Sequence, residues 1–304
     1  MQNKTIYTKY PSLLTVFSLL LIALCSLLIT NCQTLPSGAQ AFLMESGFAP
    51  LDSGASAYIF GNVREVRPII ELLPIEELND RQIRQMLDKT DYVAAAFFPA
   101  QSGRRFQLVT WGNYPSNANM GFTLHSGWEK RRGQLSGSFW YSSAGRISVA
   151  LNTRQAFVAA SLVNESRDPV TPPPGMEIPE GFNEFRAGAP LSCWLENPAP
   201  AIYRILNEMG IPIRFPVQKL FFNIAPTGEK FESVIRLQFE NATQARGVAA
   251  ILNLAGGFAS SDDFIASALF LANPPVQNGQ NIDIKTAPLS AREISLLLQM
   301  FSLY

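Results

Sequence analysis

The fold is decided by two similar stretches of sequence, VAAAFFP at residues 93–99 and LFFNIAP at residues 220–226. Both are short apolar runs that predict buried strands, and each ends in a proline, which cannot donate a hydrogen bond to a strand ladder. Similar runs follow, FQLVTW at residues 106–111 and FESVIRL at residues 231–237, after the turn sequences SGRR and TGEK. Each pair predicts a β-hairpin whose glycine supplies the positive φ of the turn.

The elements around the two hairpins repeat in the same order. A strand at residues 57–60 precedes a helix capped by Asn62, and a strand at residues 193–195 precedes a helix capped by Asn197. An asparagine at this position satisfies free N–H groups of the first helical turn. Later strands are predicted at residues 138–141 and 147–151 in the first half, and at residues 268–271 and 282–285 in the second.

This order predicts an internal duplication with the fold class α+β. Each copy reads βαββαββ, a ferredoxin-like order with one added strand, so we expect two tandem ferredoxin-like halves whose antiparallel sheets are covered by helices. The segment 166–190 contains six prolines, and prolines interrupt both helices and strand ladders. It is therefore predicted to be an extended linker between a first domain at residues 55–165 and a second at residues 191–304.

The N-terminus carries the features of an export signal. Lys4 and Lys9 lie in an acid-free flank, and the eighteen residues 13–30 that follow contain no charge. A cationic flank before an apolar run is typical of a signal peptide. Eighteen residues also approach the length of a membrane-spanning helix, so length alone leaves both interpretations open.

The residues after this run resemble the lipobox of bacterial lipoproteins. The sequence is Leu28-Ile29-Thr30-Asn31-Cys32, and asparagine before the cysteine is similar to the looser boxes of spirochaete lipoproteins. The resemblance implies that residues 1–31 are a signal peptide, that Cys32 receives diacylglycerol and a further acyl chain such as palmitate, and that residues 32–54 are a tether. An uncleaved membrane helix and an ordinary cleaved signal are the alternatives. Cys25 fits less well because Leu24 is bulky.

Charge and composition limit the partners. The 304 residues are 47% hydrophobic and carry 24 basic and 24 acidic side chains, so a nucleic-acid binder is not expected. Loss of residues 1–31 removes two lysines and no acid, which leaves 22 basic and 24 acidic groups, a net charge of −2. No polybasic cluster can read anionic lipids, so attachment to the membrane is expected through the acyl chains on Cys32. An envelope protein or a lipid is the expected ligand.

No residue pattern predicts a catalytic, metal or cofactor site. Cys193 lies in a predicted strand without a nearby histidine, and His125, the sole histidine, lies at a predicted helix end. The acid pairs Asp262-Asp263 and Glu76-Glu77 are interpreted as a helix cap and a solvated turn. The loop at residues 133–137, GQLSG, lacks the spacing of a serine-hydrolase elbow, and no phosphate-binding loop is present.

Two basic clusters and the aromatic residues receive structural interpretations. The clusters, Gly103-Arg104-Arg105 and residues 129–133, are predicted to be charged hairpin tips and sheet edges that discourage aggregation, and contact with phosphate head groups or an anionic glycan is the alternative. The tryptophans are predicted to be core, with a lipid pocket as the alternative. The apolar helix at residues 294–303 is predicted to be buried, with membrane contact as its alternative.

Together these observations predict an exported lipoprotein, anchored by lipid to the inner or the outer membrane of a bacterial cell envelope. It is expected to be a non-catalytic binding or scaffolding module. A lipid-binding or membrane-perturbing lipoprotein is the first alternative, and an enzyme of unrecognised type is the second. Beyond residue 32 the sequence shows no resemblance to a known family.

Overall fold

The computed structural model describes residues 51–72, 87–124, 127–170, 175–208, 214–258 and 273–295. Within these residues twelve strands form one sheet. The strands are β1 (Ala57–Asn62), β2 (Thr90–Phe97), β3 (Arg104–Gly112), β4 (Glu129–Arg132), β5 (Ser138–Ser142), β6 (Ile147–Leu151), β7 (Gln155–Ser161), β8 (Leu191–Glu196), β9 (Lys219–Thr227), β10 (Lys230–Gln238), β11 (Val276–Asn278) and β12 (Asn281–Lys285). The helices are α1 (Val63–Ile70), α2 (Asn119–Leu124), α3 (Phe182–Phe185), α4 (Ala199–Glu208) and α5 (Ala242–Phe258).

The sheet is continuous across both predicted halves. Its strand order is β11-β12-β10-β9-β8-β1-β2-β3-β7-β6-β5-β4, and neighbouring strands run antiparallel. The first strand of each half meets the other at the centre, where Tyr58 of β1 lies opposite Trp194 of β8. The order is mirrored about this seam, because β1, β2 and β3 on one side correspond to β8, β9 and β10 on the other.

The ferredoxin-like pairing predicted for each half is not observed. In a ferredoxin-like unit the helix connects two strands with another strand between them, a split βαβ unit. Here β1 pairs directly with β2, and β8 pairs directly with β9. The predicted order of elements does occur in the second half, as β8-α4-β9-β10-α5-β11-β12, while the first half adds β4 and β7. The strand predicted at residues 268–271 lies outside the described residues.

One face of the sheet packs against helices. Ala95, Leu108, Val158 and Val149 lie opposite one another on β2, β3, β7 and β6 and are buried with Phe122 of α2. On β9, β10 and β12, apolar side chains pack in the same way against Ala245, Val248 and Leu252 of α5. No described helix is long and apolar enough to cross a bilayer.

Asparagine side chains cap two of the helices, and the cap predicted at Asn62 is confirmed. The side chain of Asn62 accepts hydrogen bonds from the backbone N–H groups of Arg64 and Glu65, at 3.2 and 3.4 Å, and α1 begins at the next residue. Asn241 Oδ1 accepts from Gln244 N at 3.0 Å at the start of α5. Asn197 differs, because it adopts a left-handed backbone with φ of 51° and α4 begins two residues later.

The proline-rich segment packs on the opposite face of the sheet instead of extending through solvent. Phe182 and Phe185 lie one turn apart on α3, so both side chains point the same way and are buried against the sheet. Asn223 of β9 fixes this helix, because its Nδ2 donates to the Phe185 carbonyl oxygen at 2.7 Å. The prediction of an extended linker is therefore wrong for this part of residues 166–190, while the domain boundaries stay a prediction.

The basic sequence at residues 129–132 forms one edge of the sheet. Strand β4 is the last strand in the order, and its four side chains are exposed. Charged side chains on an edge strand oppose pairing with another chain. This confirms the sheet-edge interpretation of that cluster.

Candidate functional site

A cleft of about 230 Å³ opens at one end of the sheet, on the face that carries the proline-rich segment. Its floor is a row of side chains on three neighbouring strands, Gln107 of β3, Ala159 of β7 and Ser148 of β6. Because Ala159 and Ser148 are small, the space above them stays open. Asp52 forms one wall together with the β2–β3 turn, and residues 161–170 form the other.

Two arginines share one carboxylate oxygen in this cleft. Arg104 Nη1 lies 2.7 Å from Asp52 Oδ2, and Arg167 Nη2 lies 3.2 Å from the same atom. The Asp52 side chain is only 16% exposed, which limits screening of both ion pairs by solvent. The Arg104 guanidinium also lies over the ring of Phe98, 5.0 Å from its centroid. Two cationic side chains therefore share a single carboxylate in this cleft.

Gln107 joins the floor to both walls. Its Oε1 accepts a hydrogen bond from the Asp52 backbone N–H at 2.7 Å, and its Nε2 donates to the Pro169 carbonyl oxygen at 3.2 Å. The residue is 4% exposed, and a buried amide requires such partners. Gln107 thus holds the two chain segments that carry Asp52 and Arg167 at a fixed distance.

A third arginine reaches the rim of the cleft. Arg146 precedes β6 with a left-handed backbone, φ of 53°, and its guanidinium donates to the Leu162 carbonyl oxygen. Burial, and then repulsion by Arg146, lower the pKa of neighbouring Arg105. Among the described residues neither arginine forms an ion pair with a carboxylate. This end of the sheet therefore holds guanidinium groups that have no ion-pair partner within the part of the chain that the structure describes, although Glu165 and Asp168 also line the cleft.

Asp168 has a structural part in the second wall. Its Oδ2 accepts from the N–H groups of Leu135 and Ser136 at 2.9 and 3.1 Å, and its Oδ1 accepts from Val170 N at 3.1 Å. A Cβ on Gly133 would lie 2.5 Å from Asp168 Oδ2, so glycine allows this close approach. Burial alone would raise the pKa of Asp168, but the hydrogen bonds from backbone N–H groups outweigh it and lower the pKa.

Replacing Asp168 by alanine is expected to destabilise the protein by about 1–3 kcal/mol at pH 7, because three N–H groups lose a charged acceptor. The folded pKa of Asp168 lies below its unfolded value, so its contribution is present above the unfolded pKa and is lost as pH falls through the folded pKa. Denaturant titrations between pH 7 and 3 should show that the free energies of unfolding of the wild type and of Asp168→Ala converge at the acidic end. Glu180→Ala, which removes an exposed acid, is the control. A difference between Asp168→Ala and the wild type that is constant with pH would contradict this assignment.

Most residues considered in the sequence lie elsewhere or outside the described residues. Cys32, His125, Asp262-Asp263 and Glu76-Glu77 belong to the second group. Cys193 lies on the helix-covered face, partly buried, and burial raises its pKa to about 12, so the thiol stays protonated at neutral pH. A protonated thiol is a poor nucleophile. Within the described residues no group of acids, histidines and cysteines is arranged to hold a metal ion.

The sequence indicated only part of the cleft. Arg104 was predicted to be a charged hairpin tip, but it points into the cleft and pairs with Asp52. Gln107 and Ser148 gave a signal that could have been used, since each is a polar residue inside an otherwise apolar strand. Asp52 and Arg167 gave none, because their proximity results from pairing between distant segments.

Residues 44–160 match the model of a spirochaete family described as "Outer membrane-associated lipoprotein TP0453". The match covers β1 to β6 and most of β7, including the cleft residues Asp52, Arg104, Gln107 and Arg146. The match extends the resemblance to lipoproteins beyond residue 32, where no motif in the sequence indicates a family. It also supports the predicted function of an envelope lipoprotein, and its description names no catalytic activity.

Crystal structures of TP0453 have a similar fold. Crystal form III gives a TM-score of 0.56 at 17% identity and covers 83% of this chain and 96% of that chain. Crystal form IV gives a TM-score of 0.56 at 18% identity and covers 84% and 98%. At this level of identity the likeness concerns the fold alone. A search of curated protein sequences finds no significant match.

Proposed function

We propose that this protein is an outer-membrane lipoprotein, anchored by acyl chains on Cys32, that acts as a non-catalytic binding module. The observation that carries the proposal is the match of residues 44–160 to an outer membrane-associated lipoprotein family, directly after a lipobox-like sequence. We favour the outer membrane over the inner membrane because the matching family is described as outer membrane-associated. The lipobox-like sequence and the family match lie in different parts of the chain, and both indicate a lipoprotein.

The binding role is supported by the cleft. It is open to solvent, Gln107 ties its two walls together, Asp168 fixes the second wall, and the cleft presents charged groups on a rigid sheet. Binding sites are concave surfaces that carry a few polar groups in fixed positions. A site that is held in place before its ligand arrives loses little conformational entropy on binding.

A second candidate function, contact with lipid by the folded chain, is favoured by one feature of α5. Leu254 is 64% exposed and Ile251 is 37% exposed on this helix, and Arg246 is its one charged residue. Apolar side chains exposed on one helix are a means of contact with a membrane. The helix lacks the row of basic side chains that usually strengthens such contact, so we rank this function second.

Separation of the inner and outer membranes of the native cell tests the proposed location. We expect the full-length protein in the outer-membrane fraction, and we expect it to stay there after a wash at high salt, because acyl chains rather than charges hold it. A resident inner-membrane lipoprotein is the control for the separation. Recovery of the protein in the inner-membrane fraction would contradict the outer-membrane assignment.

A further inference from the structure

We infer that the cleft between Asp52, Arg104, Arg146 and Arg167 binds a phosphomonoester, an oxyanion with several acceptor oxygens. This inference rests on the proposed binding role, and it does not depend on acylation of Cys32.

Donors exceed acceptors in the cleft. A guanidinium group carries five N–H donors, so the three arginines supply fifteen. Two of these donors contact Asp52, and one contacts the Leu162 carbonyl oxygen. The carboxylate of Asp168 is occupied by backbone N–H groups, and Glu165 is an exposed residue of the lining. A ligand rich in acceptor oxygens matches this surplus.

The arrangement favours phosphate over carboxylate. The three arginines reach the cleft from different segments, Arg104 from the start of β3, Arg167 from residues 161–170 and Arg146 from the turn before β6. A carboxylate has two oxygens and is matched by one guanidinium fork, whereas a phosphomonoester has three terminal oxygens that arginines from different segments can bind. The hydroxyl of Ser148 lines the same space and can donate to a remaining phosphate oxygen. The hydroxyls of Ser102 and Ser161 also line it, but they already donate to the backbone carbonyl oxygens of Pro99 and Gly103.

The lining also accepts a small apolar part of the ligand. Phe98, Ala159 and Val163 contribute apolar surface between the arginines. A volume of about 230 Å³ holds a headgroup or a small organic phosphate, but not a complete lipid.

The position of the cleft allows two sources for this chemistry. Asp52 lies at the start of the described chain, twenty residues after Cys32, and twenty residues span at most roughly 70 Å. A chain anchored at Cys32 can therefore bring the cleft to the membrane surface, where the phosphomonoester head group of phosphatidic acid lies. A free organic phosphate of the same class is the other source.

The test uses the mature chain, residues 32–304, with Cys32→Ser so that binding is independent of acyl chains; it retains every residue that the structure describes. Isothermal titration with glycerol 3-phosphate measures the free source, and flotation with phosphatidylcholine vesicles, with and without phosphatidic acid, measures the lipid source. We expect binding in at least one arm, weakened about ten- to a hundredfold by Arg146→Gln, since a hydrogen bond to a charged group is lost.

The matched control is Arg131→Gln on the edge strand β4, which should bind like the parent. Arg167→Gln is the second variant, because Asp52 keeps Arg104 as its partner and the fold is retained. Binding of glycerol 3-phosphate alone identifies a free phosphate, and binding to phosphatidic acid vesicles alone identifies a head group. Absence of binding in both arms, or binding that neither Arg146→Gln nor Arg167→Gln weakens, would overturn the inference, and neither result would affect the proposed anchor.

Discussion

Cys32→Ser is expected to abolish incorporation of labelled fatty acid and to move the protein from the detergent phase to the aqueous phase. A serine hydroxyl cannot replace the thiol that receives diacylglycerol in the lipoprotein family that the Leu28–Cys32 sequence resembles. Residues 32–304 carry a net charge of −2 and no polybasic cluster, so electrostatics cannot replace the lost chains. Since stable anchoring requires more than one acyl chain, the change in partition should be nearly complete.

Cys25→Ser is the control, and it should keep both the label and the detergent partition. Label that persists in Cys32→Ser would rule out acylation at this cysteine. If Cys32→Ser loses its label but still floats with neutral vesicles, and Leu254→Glu then abolishes flotation, the second candidate function is correct and α5 is the membrane contact. Because Leu254 is 64% exposed, Leu254→Glu is expected to fold. Circular dichroism of this variant then distinguishes loss of membrane contact from unfolding.

Local sequence patterns predicted the elements well. The runs at residues 93–97, 106–111, 220–226 and 231–237 all lie in strands, because buried apolar side chains and flanking turns are local properties. The glycines of the two predicted hairpin turns have the expected positive φ, 70° at Gly103 and 64° at Gly228. The cap at Asn62 was also visible, since an N-cap depends on residues within one turn.

The same local patterns do not predict how these strands pair. The residues Ala94, Ala95 and Ala96 of β2 are buried on both faces of the sheet, so the sequence indicates burial without identifying a neighbour. The seam between β1 and β8 joins residues at least 130 positions apart, and no local signal encodes it. The prolines of residues 166–190 indicate that no strand forms there, and the described residues of this segment contain none. They gave no information on where the segment lies, although Phe182 and Phe185, three residues apart, could have indicated a buried turn of helix.

The cleft was missed for the same reason. Arg104 lies in a sequence typical of a hairpin tip, and only the approach of Asp52 and Arg167 from distant parts of the chain makes it a wall of a site. The sequence thus indicates a cationic side chain at Arg104, but not the residues that surround it in the fold. Such surroundings require the tertiary fold, because they depend on Gln107 holding two separate segments together.

Phe182→Ala is expected to lower the free energy of unfolding by about 3–5 kcal/mol, the usual cost of removing a fully buried phenylalanine. Its side chain has no exposed surface, and its ring lies 4.6 Å from that of Trp194 and 5.3 Å from that of Phe221. Trp194 in turn stacks on Tyr58 across the seam, with ring centroids 4.7 Å apart. The cavity would therefore loosen strands of both predicted halves at once.

This coupling makes the shape of the unfolding curve informative. Because β1 and β8 belong to one sheet and share the aromatic cluster of Tyr58, Phe182 and Trp194, we expect fluorescence and circular dichroism to report one transition that Phe182→Ala shifts as a whole. Met120→Ala, a truncation at a side chain that is 59% exposed, should leave the midpoint nearly unchanged. Two separate transitions, of which Phe182→Ala shifts only one, would mean that residues 55–165 and 191–304 unfold independently. In that case the contacts across the seam would contribute little to stability, although the strands are paired there.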